Sequence, residues 1–201
     1  PAAAQTKPIR VESIKNTKTS SFLASPAQAQ KKRIASLSFA WNTPVNLAAF
    51  ERNGKLWLIF DHPQQINIEN LKKTAGELAE NIIQFPHPLG SLIQVTPAKG
   101  VKSAVRKEGL LWILDLYTDD LPQQPFKELT IFTQYDSMKQ PYLYIPTEYA
   151  GNVISIIDPE IGDIISVATS SRPHLGTKSF YHYPEFDILS TLQGLAFVIN
   201  A

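Results

Sequence analysis

Residues 45–61, which read VNLAAFERNGKLWLIFD, predict a β-hairpin around which the rest of the fold is organised. Two largely apolar runs, 45–52 and 55–61, flank the pair Asn53-Gly54. An Asn-Gly pair between apolar runs is the strongest local signal for a two-residue turn, because both turn positions need a positive φ. We therefore expect two antiparallel strands joined at this pair, with Gly54 in the left-handed region.

The second run of this hairpin is apolar on both of its faces. Successive side chains of a strand point to opposite faces, so Leu56, Leu58 and Phe60 share one face. Trp57 and Ile59 occupy the other face. A strand that is apolar on both sides has to be covered on both sides, which favours a sandwich or a sheet capped by a helix.

A second segment resembles this hairpin. Residues 104–115 (AVRKEGLLWILD) align with residues 49–60 (AFERNGKLWLIF) at a constant offset of 55, which takes Trp57 to Trp112. The alignment predicts a duplicated hairpin in which the two tryptophans are core residues with equivalent packing roles. The alternative is a chance similarity between two amphipathic hairpins.

A single helix is predicted from Ile68 to Ile82, where apolar residues recur at spacings of three and four. The segment 85–88 (FPHP) is expected to end it, because residues before proline avoid the helical region. Further strands are predicted at 35–41, 91–96, 101–107, 110–117, 128–133, 142–146, 152–157, 164–169, 179–183 and 195–199. The expected fold class is mainly β, with sandwich-like antiparallel sheets built from hairpins and one covering α-helix.

The charged residues divide the chain into two parts. Residues 1–33 hold seven Lys/Arg and one acid, and few large apolar residues, which predicts a flexible basic tail or linker. Residues 34–201 hold twelve bases and seventeen acids and are expected to form a single β-rich domain. The alternative is two lobes that divide near 121–127 (LPQQPFK).

Composition excludes several classes of protein. The chain has no cysteine, which excludes a disulfide scaffold, a Cys-ligated zinc site and a cysteine nucleophile. No run approaches the roughly 18 apolar residues of a spanning helix, so we expect a chain that does not span a membrane. The acidic body argues against specific nucleic-acid binding, which needs clustered Lys/Arg. Because the sequence opens on Pro1 rather than methionine, we expect a trimmed or processed piece.

Sequence motifs that carry catalytic or metal chemistry are absent. The sequence contains no Walker-type or dinucleotide glycine loop, no H-E-x-x-H and no G-x-S-x-G. No two histidines share the i, i+4 spacing that places both imidazoles on one helix face. We interpret the four histidines as loop or rim residues: His62, His87, His174 and His182. The sequence therefore predicts no catalytic residue, no metal site and no cofactor.

Two sets of acidic residues leave alternatives open. The turn 158–163 (DPEIGD) offers three carboxylates to a calcium ion, but Pro159 and the lack of a later bidentate glutamate favour a plain hairpin turn. Asp61, Asp115 and Glu185 are candidates for the carboxylate pair that glycoside hydrolysis requires.

Aromatic residues supply the candidate binding site. The segment 180–186 (FYHYPEF) is dense in rings, and its two tyrosines share one face by alternation. Rings beside polar groups stack on sugars or anchor a protein partner, although half of such a run commonly packs in the core. The candidate binding residues are Trp41, Tyr142, Tyr144, Tyr181 and Tyr183.

Several short motifs resemble the N-terminal region of large α-proteobacterial tetratricopeptide-repeat proteins. They are residues 39–41 (FAW), 50–57 (FERNGKLW), 60–61 (FD), 158–163 (DPEIGD) and 191–195 (TLQGL). The resemblance runs from about Leu37 to Phe197. It implies a β-rich module that precedes helical repeats in a protein directed to the cell envelope, and it implies no activity or catalytic residues. The 34-residue helical repeat itself is absent from this sequence.

These observations predict a non-catalytic interaction module of a larger bacterial envelope-associated protein. Two alternatives remain: a glycan- or peptidoglycan-binding domain, and a hydrolase of cell-wall polymer. The expected partner is a protein or a cell-wall glycan, and the expected location is the periplasm or cell envelope. The oligomeric state stays open.

Overall fold

The computed structural model describes residues 34–119 and 125–199, so the predicted basic tail lies outside the described residues. The described chain is mainly β with one α-helix, which confirms the expected fold class. In chain order the elements are β1 (Ile34–Ala40), β2 (Leu47–Arg52), β3 (Lys55–Phe60), α1 (Ile68–Ala75), a 3₁₀ turn (Gly76–Leu78), β4 (Ala79–Phe85), β5 (Ser91–Pro97), β6 (Lys102–Glu108), β7 (Leu111–Tyr117), β8 (Lys127–Glu128), β9 (Phe132–Tyr135), β10 (Pro141–Tyr144), β11 (Ala150–Ile157), β12 (Ile164–Ser170), β13 (Leu175–Gly176), β14 (Tyr181–His182), β15 (Phe186–Ile188), β16 (Thr191–Gln193) and β17 (Leu195–Ile199).

Within the described residues these strands form two main sheets. A three-stranded sheet has the order β1-β7-β6. A ten-stranded sheet has the order β14-β15-β17-β12-β2-β3-β5-β4, with β11 paired to β12 and β16 paired to β2. Strands from both sides of residues 121–127 therefore share one sheet. Two short pairs, β9-β10 and the parallel β8-β13, complete the pairing.

The predicted double coverage of β3 is confirmed. Leu56, Leu58 and Phe60 belong to a core cluster shared with the three-stranded sheet and α1. Trp57 and Ile59 belong to a second cluster, on the other face of the same strand. That cluster is completed by side chains of β11, β12 and β17. The hairpin β2-β3 is thus the middle of three layers.

The second cluster exists because the ten-stranded sheet folds back on itself. Strand β12 meets β2 at a single residue pair, Ser170 with Leu47, and β16 continues along the same edge of β2. The buried Gln193 side chain strengthens this joint, because its Nε2 donates to the carbonyl oxygens of Ser170 at 3.2 Å and Arg172 at 2.6 Å. We call strands β11, β12, β14, β15 and β17 the C-terminal half of the sheet.

The two tryptophans do not play equivalent packing roles, so that prediction is wrong. The β2-β3 turn is Asn53-Gly54, with φ of 51° and 70°, as predicted. In the second hairpin Glu108 pairs with Leu111, so the turn is Gly109-Leu110 and lies one residue later than the alignment places it. A one-residue shift moves every side chain to the opposite face. Trp112 therefore lies in the first cluster, whereas Trp57 lies in the second.

The predicted helix is too long. It ends at Ala75, and Gly76 adopts a φ of 54°, a left-handed conformation that suits glycine and ends the helix. Ile82 belongs instead to β4, where it pairs with Val95. An apolar residue at this position satisfies both the helical and the strand period, so periodicity alone did not separate them.

Several strand bounds also differ from the predictions. The strand predicted at 128–133 is two short strands, β8 and β9, and the one predicted at 179–183 contracts to β14. The very short strands β13, β15 and β16 were not predicted. Elements of two or three residues carry too little periodicity to be recognised in a sequence.

We expect Trp57→Ala and Trp112→Ala each to lower the free energy of unfolding by about 3–5 kcal/mol, because both indoles are buried and a cavity would remain. Urea denaturation measures this change. Tyr135→Ala, at an exposed position, is the control and should change stability by less than about 0.5 kcal/mol. An unchanged midpoint in both tryptophan variants would contradict the two-cluster core.

Candidate functional site

The outer face of the C-terminal half of the sheet is mostly apolar, with the paired Ser155 and Ser166 among its apolar side chains. Cross-strand partners point to the same face, and the register pairs Ile157 with Ile164 and Phe186 with Ile199. Val153 and Ile157 are 61% and 68% exposed. We name this surface the outer apolar face, which consists of Val153, Ile157, Ile164, Phe186, Leu195, Phe197 and Ile199.

A groove of about 320 Å³ lies where residues 143–145 approach this face. Every side chain that lines it is apolar: Leu143, Ile145, Val153, Ala168, Phe186, Ile188, Leu195 and Phe197. Two aromatic contacts order one wall, because the Phe186 ring lies 6.2 Å from the Phe197 centroid and 5.0 Å from the Tyr183 centroid. We name this feature the apolar groove. Its chemistry suits apolar side chains and offers no side-chain hydrogen-bonding group.

Four of the five predicted binding residues lie on the elements around the apolar groove. Tyr142 and Tyr144 flank the groove residue Leu143 on β10 and are 45% and 47% exposed. Tyr183 stacks on the groove residue Phe186, and Tyr181 pairs with Ile188. Tyr181 and Tyr183 are half-buried, so each ring is partly packed and partly exposed.

Trp41 was predicted to be a binding residue, and that prediction is wrong. Its side chain is only 5% exposed and lies in the first core cluster, 4.9 Å from the Phe60 ring and 5.9 Å from the His62 ring. It follows β1 directly, where the alternating buried side chains of that strand continue into the core. A buried ring of this kind does not stack on a ligand.

The hairpin β9-β10 presents three rings on one of its two faces. The register pairs Tyr144 with Phe132 and Tyr142 with Gln134, so these four side chains share a face. The Tyr142 hydroxyl donates to Gln134 Oε1 at 2.7 Å. We name Phe132, Tyr142 and Tyr144 the aromatic strip.

The acidic residues singled out in the sequence have structural partners. Asp61 accepts hydrogen bonds from the Asn46 backbone and amide, both at 2.8 Å, and from Thr169 Oγ1 at 3.2 Å. Asp115 accepts from Ser36 Oγ at 2.5 Å and Arg106 Nε at 2.7 Å. The hydrogen bond to Asp115 raises the pKa of the Arg106 guanidinium. Glu185 is exposed.

The carboxylates of the turn 158–163 form ion pairs with basic side chains of the protein itself. Asp158 lies 3.4 Å from Arg52, and Asp163 also forms an ion pair with Arg52. Lys55 pairs with Glu160 in the same turn. Among residues 34–119 and 125–199, no three His, Asp or Glu side chains are grouped so as to hold a metal ion.

The apolar residues of the groove were not singled out in the sequence. A signal was present, because 195–199 (LAFVI) is apolar at every position, as residues 56–60 of β3 are. Ala196 and Val198 fill the second core cluster, which leaves Leu195, Phe197 and Ile199 on the outer face. A strand that is apolar on both faces must be covered on both faces, and this holds for β17 as well as for β3.

Comparisons of the chain with models of protein families, with curated proteins and with solved structures found no match. In the part of the chain that the structure describes, no helix has the length and apolar character needed to cross a membrane. Function is therefore inferred from the geometry of the outer apolar face and its groove.

One histidine should make stability depend on pH. Burial lowers the pKa of His174 from its usual 6.5, so the unfolded chain binds this proton more readily than the folded chain. We expect the free energy of unfolding to fall as the pH drops from 6.5 to about 5. In His174→Asn this fall should be smaller, and asparagine tolerates the φ of 58° found here. Urea titrations across this pH range test the difference, and equal pH dependence in both proteins would contradict it.

Proposed function

We propose that the chain is a non-catalytic interaction module of a larger bacterial envelope-associated protein, and that it binds a protein partner through the outer apolar face. The observation that supports this is the largely apolar surface over four strands, interrupted by the pair Ser155 and Ser166, which opens into the apolar groove. Exposed apolar patches of this kind mark interaction sites in soluble proteins. The envelope location and the larger protein rest on the sequence resemblance.

The composition of the face matches the centre of a protein interface. Such centres are depleted of charged residues and enriched in aromatic ones. The outer apolar face has no charged side chain and includes two phenylalanines that form the wall of the groove. Burying the exposed part of an aliphatic side chain such as Val153 or Ile157 contributes about 25 cal/mol for each Å² of apolar surface removed from water. A partner that offers apolar side chains to this groove would therefore be held without catalytic groups.

Site-specific photo-crosslinking in the source cells tests this proposal. A photoreactive residue at Val153 should crosslink the intact protein to one defined partner, because Val153 lies at the groove and is exposed. The same residue at Lys73, exposed on α1, is the control and should not capture that partner. Adding Ile157→Lys, at an exposed position of the face, should abolish the crosslink at Val153 without unfolding the chain. Equal capture from Val153 and Lys73, or capture that survives Ile157→Lys, would contradict the proposal.

A second candidate function is binding of a cell-wall glycan, which the aromatic strip favours. Three rings share one exposed face of β9-β10, beside the Gln134 amide. Flat aromatic faces next to polar groups provide the stacking and hydrogen bonding that sugars require. This candidate uses the side of the hairpin opposite to Leu143, the β10 residue that lines the apolar groove.

Co-sedimentation with isolated cell-wall sacculi tests the glycan candidate. Pelleting should persist at high salt and without residues 1–33, and it should be lost in Tyr142→Ala/Tyr144→Ala. Tyr135→Ala, an exposed tyrosine on the other face of the hairpin, is the matched control and should still pellet. Pelleting that needs both the basic tail and low salt would show screened charge attraction and contradict stacking.

A further inference from the structure

A small cavity of about 150 Å³ adjoins the apolar groove. Ile145, Ala168 and Leu195 line both the cavity and the groove, so the two spaces open onto each other. Ala168 of β12 and Leu195 of β17 are cross-strand partners and form a common floor on the outer side of the sheet. We name the groove and the cavity together the apolar trough.

Residues 143–147 form the wall that lies over this floor. Leu143 and Ile145 line the groove, and Ile145 and Thr147 line the cavity. Alternate side chains of an extended segment point the same way, so these three side chains follow one another along the trough. Opposite them, Ala168 carries only a methyl group, and its small size leaves the trough open at the point where the groove meets the cavity.

The polar groups of the trough are already used inside the protein. The hydroxyl groups of Thr147, Thr169 and Ser170, which line the cavity, make hydrogen bonds of 3.2, 3.1 and 3.4 Å within the chain. Strand β12 is paired on one side with β11 and on the other with β17, and β17 is paired with β12 and β15. The main-chain groups of the floor are therefore committed to the sheet.

This lining favours a hydrocarbon chain over an extended peptide. A peptide laid along the floor would bury its own N–H and C=O groups against strands that are already paired on both sides, and buried polar groups without partners are costly. An acyl chain has no such groups, and it gains free energy from every methylene that leaves water.

The far end of the cavity is polar. There it adjoins a recess of about 360 Å³, with which it shares Leu129, Thr147 and Leu175. The charged residues that line the recess are Lys127, Glu128, Glu148 and Arg172. The lining thus changes from apolar to charged along one path, which suits a ligand with an apolar chain and a polar head.

We propose that the apolar trough binds a single acyl chain, with its polar head in the recess beside Arg172. The trough shares the apolar groove with the protein-binding surface proposed above, but the proposal does not rest on a protein partner. Binding of a lipid to the purified chain is measured without any partner, and crosslinking from Val153 is measured without added lipid, so failure of one leaves the other standing.

Isothermal titration calorimetry with octanoate, decanoate and dodecanoate tests the proposal on the full chain, below the concentrations at which these acids form micelles. Affinity should rise about fourfold for each methylene that enters the trough, which is the effect of burying one CH₂ group. Lysophosphatidylethanolamine with a dodecanoyl chain carries the same chain on a head of both charges. The tighter of these two dodecanoyl ligands identifies the source of the chain as a free fatty acid or a membrane lipid.

Filling the trough should block binding. Ala168→Phe places a ring where the groove meets the cavity and should weaken dodecanoate binding tenfold or more. Ala40→Phe makes the same substitution at an exposed position of β1, outside the trough, and is the matched control that should bind like the wild type. Urea denaturation of both variants shows whether each is folded.

NMR of the wild-type chain tests the location whatever the fate of the Phe variant. Addition of dodecanoate should shift the methyl signals of Ile145 and Leu195, which line both parts of the trough. The methyl signals of Leu37 and Leu116, which are fully buried in the first core cluster, should stay in place.

Four outcomes would overturn the proposal. They are no binding of any of these ligands at about 1 mM, affinity that does not change with chain length, and equal weakening by Ala168→Phe and Ala40→Phe. The fourth is binding that leaves the Ile145 and Leu195 methyl signals unmoved. An acetylated and amidated trivaline peptide that binds where dodecanoate does not would instead assign the trough to a peptide.

Discussion

The whole arrangement depends on the hairpin β2-β3 being apolar on both faces. A strand with Leu56, Leu58 and Phe60 on one side and Trp57 and Ile59 on the other is stable only when water is excluded from both sides. The three-stranded sheet and α1 cover the first side. The second side is covered by the C-terminal half of the same sheet, and this is why the sheet folds back at Ser170 and Leu47. Asp61 also links these layers by hydrogen bonds, because its carboxylate accepts from both Asn46 and Thr169.

The strands that cover β3 are themselves largely apolar on both faces, so the next layer has an uncovered apolar face. Strand β17 turns Ala196 and Val198 inward to cover Trp57, and its apolar outer residues then face away from the core. The hairpin β9-β10 supplies Leu143 to this outer surface, but Val153 and Ile157 stay exposed. The proposed docking surface is thus a direct consequence of the layering.

The sequence allowed the fold class, the β2-β3 turn and the burial of both tryptophans to be predicted, because each follows from local patterns. The face occupied by Trp112 was not predictable, since it depends on whether Glu108 or Leu110 enters the turn with Gly109. Of the candidate binding residues, Tyr142 and Tyr144 are exposed, whereas Trp41 proved to be core. Exposure depends on tertiary packing, which the alternation of one segment does not specify. The groove residues went unnoticed because an apolar run looks the same whether one or both of its faces are buried.

The narrow joint between β12 and β2 has a consequence for how the chain folds during synthesis. Residues 34–117 contain both hairpins and the first cluster, so most of their contacts are available before residues 150–199 leave the ribosome. Until β11, β12 and β17 close over them, Trp57 and Ile59 face water on an otherwise folded sheet. The partly synthesised chain therefore exposes an apolar surface until β11, β12 and β17 have been made. The closing step joins segments more than a hundred residues apart, such as Arg52 and Asp163, and contacts of such long sequence separation form slowly.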